Sequence, residues 1–245
     1  MIVYNKEALN TLNHLSRITK NREQKCSIKI EKDVEGVHVQ AGNEGNTIVF
    51  TYDAPTESFD FEGSEICFYD FPEFHKYFSA FENPVLTKEL INDDDNEAIV
   101  FSQGKRKITY PLSDSEVLET KRRKIKWENP SAVFTFIEED VVALKSLLSL
   151  LGAKETNLVF TFSGSNVNVK TVSTMKNRSV NTYEDNFTLN EEVEEDFVIT
   201  IKSDVFSHLI KTTYRVEVSD IGVIRFFYDV EDSKISILVT GIDDE

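Results

Sequence analysis

Along most of this chain apolar and polar residues alternate with a period of two, the pattern of half-buried strands whose successive side chains face opposite sides of a sheet. In the first half the alternation predicts strands at 26–31, 36–41, 47–52, 57–61, 65–69, 98–102 and 106–110. In the second it predicts them at 132–136, 157–162, 166–172, 178–183, 186–189, 197–201, 214–219, 222–228 and 234–240. Turn-forming stretches such as Glu35-Gly36, Ser163-Gly164-Ser165 and Asp220-Ile221-Gly222 separate many of them. Only four windows follow a 3.6-residue apolar period, and they predict helices at 5–20, 71–82, 139–152 and 203–213.

The placement of those helices is informative. Each half begins with a short strand running into a helix, Ile2-Val3-Tyr4 before the first and Val133-Phe134-Thr135-Phe136 before the third. Each half also carries a second helix after a later strand, and the stretch from Ile66 to Phe78 resembles the stretch from Val198 to Ile210. This reads as an internal duplication. The fold class it implies is α+β: two similar domains, 1–112 and 131–245, each with two helices packed on antiparallel sheets. Residues 113–130, polar and charged, lack apolar periodicity and end at Asn129-Pro130, so they form the connector.

Charge sharpens this picture. The 245 residues include 27 Lys+Arg and 43 Asp+Glu, a formal net charge of −16. Such a surface repels nucleic acid and anionic membranes unless its basic residues gather on one face. The four helix windows together carry no net charge, so the whole negative excess lies on strands, loops and connector. Helix 5–20 buries Ala8, Leu9, Leu12, Leu15 and Ile18, leaving Asn10, Asn13, His14, Arg17 and Lys20 along its other face. Helix 139–152 buries Val141, Leu144, Leu147, Leu148 and Leu151 and leaves a stripe of Val142, Lys145, Ser149 and Gly152. The other two present Lys76 with Ser79, and His208 with Lys211. Glu7, Glu73, Glu139, Asp140 and Asp204 stand in first turns, where the helix dipole favours acids. A mildly basic helical face on an acidic protein suits contact with DNA phosphates without base readout. Amphipathic helices also carry Lys and Arg simply as solvated residues, and the charge pattern alone leaves both readings open.

Other chemistry is sparse. No GxxxxGK or GxGxxG occurs, so no nucleotide site and no cofactor is expected. Cys26 and Cys67 belong to no CxxC pair and are too few for a disulfide framework, which points to a reducing, intracellular compartment. The first residues lack the basic start and long apolar stretch of a signal peptide, and the most apolar segment, 141–151, is interrupted by Lys145, so no membrane partner is expected. The sequons at Asn177 and Asn186 are then expected to be silent. His14, His38, His75 and His208 are scattered without ligand spacing, so no metal site is expected. The acidic runs 93–95 and 243–245 read as a solvated loop and tail rather than a cation site. No serine or cysteine has a recognisable base partner, and enzymatic activity is not expected. Between Lys121 and Trp127 five basic residues precede the only tryptophan, a run that fits a localisation signal, a phosphate-binding patch or a solvated connector.

The duplicated order of elements, the helix placement and the acidic balance resemble the DNA polymerase sliding clamps of the PCNA and tailed-phage type. The resemblance covers nearly the whole chain, and its most specific stretches are 59–81 and 197–241. One departure is a connector unusually basic for such a clamp; another is the missing proline-containing C-terminal ending of cellular clamps, which favours the viral, phage-like branch of the family. The resemblance implies a DNA-clamp fold that forms a ring: six similar domains from a homotrimer, helices lining a hole and sheets forming the rim. It implies a processivity factor in DNA replication, which encircles duplex DNA without sequence preference, tethers a DNA polymerase and is opened by an ATP-dependent clamp loader. The DNA-binding residues would be Asn13, His14, Arg17, Lys20, Lys76, Lys145, His208 and Lys211. A partner-peptide pocket beside the connector would draw on Ile125, Trp127, Val239 and Ile242. The subunit interface would pair segments 105–112 and 177–185, with Lys105, Arg106 and Lys107 facing Tyr183, Glu184 and Asp185 of the next chain. The alternatives are a hetero-oligomeric clamp subunit or clamp-like polymerase accessory, and a β-rich virion or scaffold protein.

Overall fold

The computed structural model of the chain describes residues 1–19, 26–43, 47–91, 96–116, 130–151, 156–174 and 182–242. Two compact units emerge, Met1–Arg123 with Asp229–Ile235, and Lys124–Tyr228 with Ser236–Glu245.

Unit 1 runs β1 (Val3–Tyr4), α1 (Lys6–Ser16, continued by a 3-10 turn over Arg17–Thr19), β2 (Ile28–Lys32), β3 (Val37–Gly42), β4 (Ile48–Ala54), β5 (Phe59–Asp60), β6 (Glu65–Phe68), α2 (Phe71–Ser79), β7 (Val85–Ile91), β8 (Asn96–Gln103) and β9 (Arg106–Pro111). One antiparallel sheet has the order β6-β2-β3-β4 and another the order β7-β8-β9. β1 pairs with β5, and Ile2 bridges to Leu86 of β7. Alternation in β3 places Val37, Val39 and Ala41 in the core. Phe74 of α2 is fully buried, its ring centroid 4.6 Å from Phe68, 5.3 Å from Phe71 and Phe101 and 5.6 Å from Tyr110. Tilted and edge-on contacts of this kind favour one arrangement of the rings. That arrangement fixes which side of α2 is left outside.

Unit 2 repeats the order, with the end of β16 and the start of β17 (Asp229–Ile235) counted in unit 1: β10 (Ala132–Phe136), α3 (Glu138–Leu151), β11 (Thr156–Ser163), β12 (Asn166–Ser173), β13 (Glu184–Thr188), β14 (Phe197–Lys202), α4 (Val205–His208), β15 (Tyr214–Ser219), β16 (Val223–Val230) and β17 (Ser233–Thr240). Its sheets have the orders β14-β11-β12-β13 and β10-β15-β16-β17. Small contacts repeat as well. Tyr4 faces Phe59 in unit 1 as Phe134 faces Leu189 in unit 2. The amide of Ser113 donates to the Cys67 carbonyl as that of Ile242 donates to the Thr200 carbonyl. Phe206, equivalent to Phe74, is fully buried, with centroids 6.0 Å from Phe136 and 5.6 Å from Phe226.

Three local expectations are corrected. The helix expected at 203–213 is only the single turn Val205–His208. Leu209 turns to φ −67°, ψ 136°, and the β-branched Thr212 and Thr213 lead into β15 rather than extending a helix. The strand expected at 57–61 is a 3-10 turn over Thr56–Ser58 followed by β5. The second half's expected strands at 178–183 and 186–189 give way to β13, which starts at Glu184, while 178–181 lie outside the described residues. β7 was not foreseen from alternation, because among its side chains only Leu86 is buried.

Candidate nucleic-acid interface

Local chemistry sets the start of each unit 1 helix. The Asn5 side chain caps α1 by accepting from the amides of Glu7 (2.8 Å) and Ala8 (3.4 Å), and Asp70 caps α2 by accepting from the Glu73 amide (3.3 Å). α1 buries Ala8, Leu9, Leu12, Leu15 and Ser16. At 100° per residue, Lys6, Asn10, Asn13 and Arg17 therefore form a stripe on the far side. Arg17 and Lys6 are exposed, as is Lys76 of α2. His14 and Asn13 are half-buried, and Asn13 Oδ1 is closed off from solvent without a hydrogen-bond partner among the described residues. The two helices are tied together: His75 Nε2 donates to Asn10 Oδ1 at 2.8 Å, and Ser79 Oγ lies 3.3 Å from His75 Nδ1. Burial, and then the charge of Arg17, lower the His75 pKa below the ordinary histidine value.

In unit 2 the face is built differently. Lys145 is half-buried, and its ammonium donates to the carbonyl of Leu209, just past α4. Burial, and then the charge of Lys211, depress its pKa. Lys211 is exposed on the segment after α4 rather than on a helix. Lys20, Ile125 and Trp127 lie outside the described residues, as does the side chain of His208. Arg17, Lys76 and Lys211 are thus the exposed cations among the expected DNA contacts that the structure describes, and Lys145 serves the packing of α3 on α4.

At the end of the chain, Val239 is buried and Ile242 half-buried. The Gly241 amide donates to the Gly222 carbonyl at 2.6 Å and the Ile242 amide to the Thr200 carbonyl at 2.8 Å. This threads the terminus between the tip of the β15–β16 hairpin and β14. A side chain at Gly241 would meet Gly222 O at 3.1 Å and Ile199 Cγ2 at 3.2 Å. Ile221 at the hairpin tip, 81% exposed, stands beside this terminus.

The expected interface residues fall on or next to outer strands. β9 ends one sheet, and Lys105, Arg106 and Lys107 are exposed, Lys107 lying 3.4 Å from Glu89. β13 ends another, with Glu184 accepting from Asn168 Nδ2 at 3.0 Å and the Tyr183 hydroxyl donating to Asp185 at 2.8 Å. Burial, then that bond to Asp185, raises the tyrosine pKa. Because β13 begins at Glu184 instead of ending at Asp185, full-length antiparallel pairing with β9 would set Arg106 near Thr188 and Glu184 near Pro111. The charge pairing expected between 105–107 and 184–185 is not available in that register. The exposed acids Glu191 and Glu192 lie beyond the end of β13.

Among the described residues there is no cluster of metal-ligating side chains, and no helix is long and apolar enough to cross a membrane. Cys26 and Cys67 are buried and not joined in a disulfide, and burial pushes the Cys67 thiol up to about 11.

A duplicated α+β unit, with paired helices and antiparallel sheets in the same order twice, is the DNA-clamp fold. The solved structure of proliferating cellular nuclear antigen from Entamoeba histolytica is similar to it, with a TM-score of 0.67 over 97% of this chain and 95% of that one, at 14% identity. No protein-family model and no curated protein matches the sequence.

Proposed function

We propose that this chain is a non-enzymatic sliding clamp: a homotrimeric ring that encircles duplex DNA, holds a replicative DNA polymerase to its template and is opened by an ATP-dependent loader. The observation that carries this reading is the clamp fold extending over 97% of the chain. The segregation of charge supports it. Arg17, Lys76 and Lys211 stand exposed on or beside the helices of a protein of net charge −16, as phosphate contact without sequence readout requires. The outer strands β9 and β13 are the edges through which three chains would close, since exposed edges otherwise invite uncontrolled pairing. Partner peptides would dock beside the connector and the terminus around Val239, Ile242 and Ile221, with Ile125 and Trp127 contributing. The protein would work in a reducing intracellular compartment and be virally encoded.

The test is topological. A ring of three chains, by sedimentation mass, should be retained on a primed closed circle after loading and lost when the circle is cut. It should also lengthen the products of a single polymerase binding event. A chain that stays monomeric, or is retained equally on linear DNA, would remove this reading and favour a virion or scaffold role.

A further inference from the structure

We propose that Asn10 is a phosphate-contacting residue of the helical face and that His75 is the side chain that positions it; this rests on the reading of that face as a DNA-tracking surface. Asn10 is exposed in the middle of α1, one turn beyond Lys6 and on the same stripe as Arg17. Its carbonyl oxygen is occupied by His75 Nε2 at 2.8 Å. A carboxamide held by its oxygen is restrained in orientation, and its Nδ2 keeps two hydrogens to donate. The positioning is itself supported. Asn10 Oδ1 can only accept, which puts the imidazole proton on Nε2 and leaves Nδ1 to accept from the Ser79 hydroxyl at 3.3 Å.

Burial of His75 and the nearby Arg17 charge favour the neutral ring, and neutrality is the state in which this chain of bonds closes. Among the described residues the facing groups are Asn10, Arg17 and Ser79, and none of the bonds to the ring comes from a carboxylate. An amide locked in this way loses little side-chain freedom when a phosphate arrives, unlike the long chain of Arg17. Asn10 would thus add a neutral, preorganised donor between two flexible cations. A neutral donor releases no counterion, so its contribution is separable from theirs by salt dependence.

The experiment is a salt titration of binding to a labelled DNA duplex by fluorescence anisotropy, with the full chain and its variants. Asn10→Ala is expected to weaken binding about threefold at every salt concentration with an unchanged slope of log K against log salt. Arg17→Gln is expected to reduce the slope. His75→Phe, which keeps a ring but removes the donor, should reproduce Asn10→Ala, and the double variant should lose no more than either single one. His75→Gln, which restores an N–H near the Nε2 position, should recover binding. Wild-type affinity in Asn10→Ala together with a reduced slope in Arg17→Gln would overturn the proposal and leave the DNA reading intact. Unchanged binding in all variants would overturn both. As a measurement independent of variant folding, nitrogen NMR of the wild-type chain should show His75 protonated on Nε2 at neutral pH, and a proton on Nδ1 would overturn the positioning role.

Discussion

Lys145 offers a test that separates charge available to a phosphate from charge that serves the fold. By sequence pattern it belongs with Arg17, Lys76 and Lys211, yet its ammonium is bonded to the Leu209 carbonyl and half-buried, whereas the other three are exposed. The perturbation is one substitution at a time: Arg17→Gln, Lys76→Gln, Lys211→Gln and Lys145→Met. Each phosphate contact removed lowers the slope of log K against log salt by about 0.9, which over a fourfold range of salt is about a 3.5-fold change in relative affinity. In a ring of three chains the ceiling is about three times that slope change. Lys145→Met should leave the slope alone. Methionine keeps the apolar stem packed between α3 and α4 but strands the Leu209 carbonyl, so stability should fall by about 1 kcal/mol, the net worth of an ordinary hydrogen bond. Salt-dependent anisotropy on a duplex reads the first quantity and urea unfolding the second. A Lys145→Met chain with the slope loss of Arg17→Gln and wild-type stability would refute the assignment.

The remaining predictions concern stability and assembly. Burial disfavours a charged His38, but its bonds to Asp53 (2.7 Å) and Asp33 (3.1 Å) together outweigh it and raise its pKa. Its stabilisation is therefore complete below the ordinary value of about 6.5 and is lost as pH rises through the raised value; urea unfolding should show His38→Gln losing stability relative to wild type at mildly acidic pH and matching it more closely in mild alkali. Gly36 has φ +150°, and a Cβ there would stand 2.3 Å from the Ala54 carbonyl oxygen, so Gly36→Ala should cost about 2 kcal/mol or more in thermal unfolding; a change below the error of the measurement would contradict the β3–β4 register. Reversing Lys105 and Arg106 to Glu should shift sedimentation towards monomer, most at low salt, and Glu191→Lys with Glu192→Lys should partly restore the trimer; a double reversal that stays trimeric places the interface elsewhere.

What the sequence disclosed follows from where burial is periodic. α1 and α3 show a one-sided apolar stripe, and β3 and β11 alternate cleanly between core and outside, so their types were plain. Duplication was legible because the aligned stretches around Phe74 and Phe206 share an apolar pattern that the aromatic cores of both units require. Elements with little buried surface were not legible. β7 buries only Leu86, and α4 is a single turn whose apolar residues continue into extended chain. The helical face was visible as a stripe of polar residues, yet periodicity cannot tell which of them are spoken for. Spacing gives Lys145 and Arg17 the same standing, and only the position of Leu209 separates them. Asn10 and His75 are far apart in sequence, and nothing in either segment announces that they meet.

The two copies of the helix pair solve one problem in different ways, and the difference redistributes charge. In unit 1 the second helix is long enough for His75 to reach Asn10, so the tie between helices is made by neutral side chains and Arg17 and Lys76 stay exposed. In unit 2 the second helix stops after Val205–His208, the carbonyl of Leu209 opens towards α3, and a long cationic side chain is the group that can span the gap. That lysine is lost to the outer surface. The exposed positions of α3 are then Glu138, Glu139, Ala143, Ser146, Ser149 and Leu150, with no cation among them, so Lys211 alone of the described expected contacts supplies exposed positive charge in unit 2. A duplex passing such a face would be held more strongly by α1 and α2 than by α3 and α4, although the two units share one fold. Substitution of Arg17 with Lys76 should accordingly cost more DNA affinity than substitution of Lys145 with Lys211, and equal losses from the two pairs would show that the internal symmetry of the fold extends to its electrostatics.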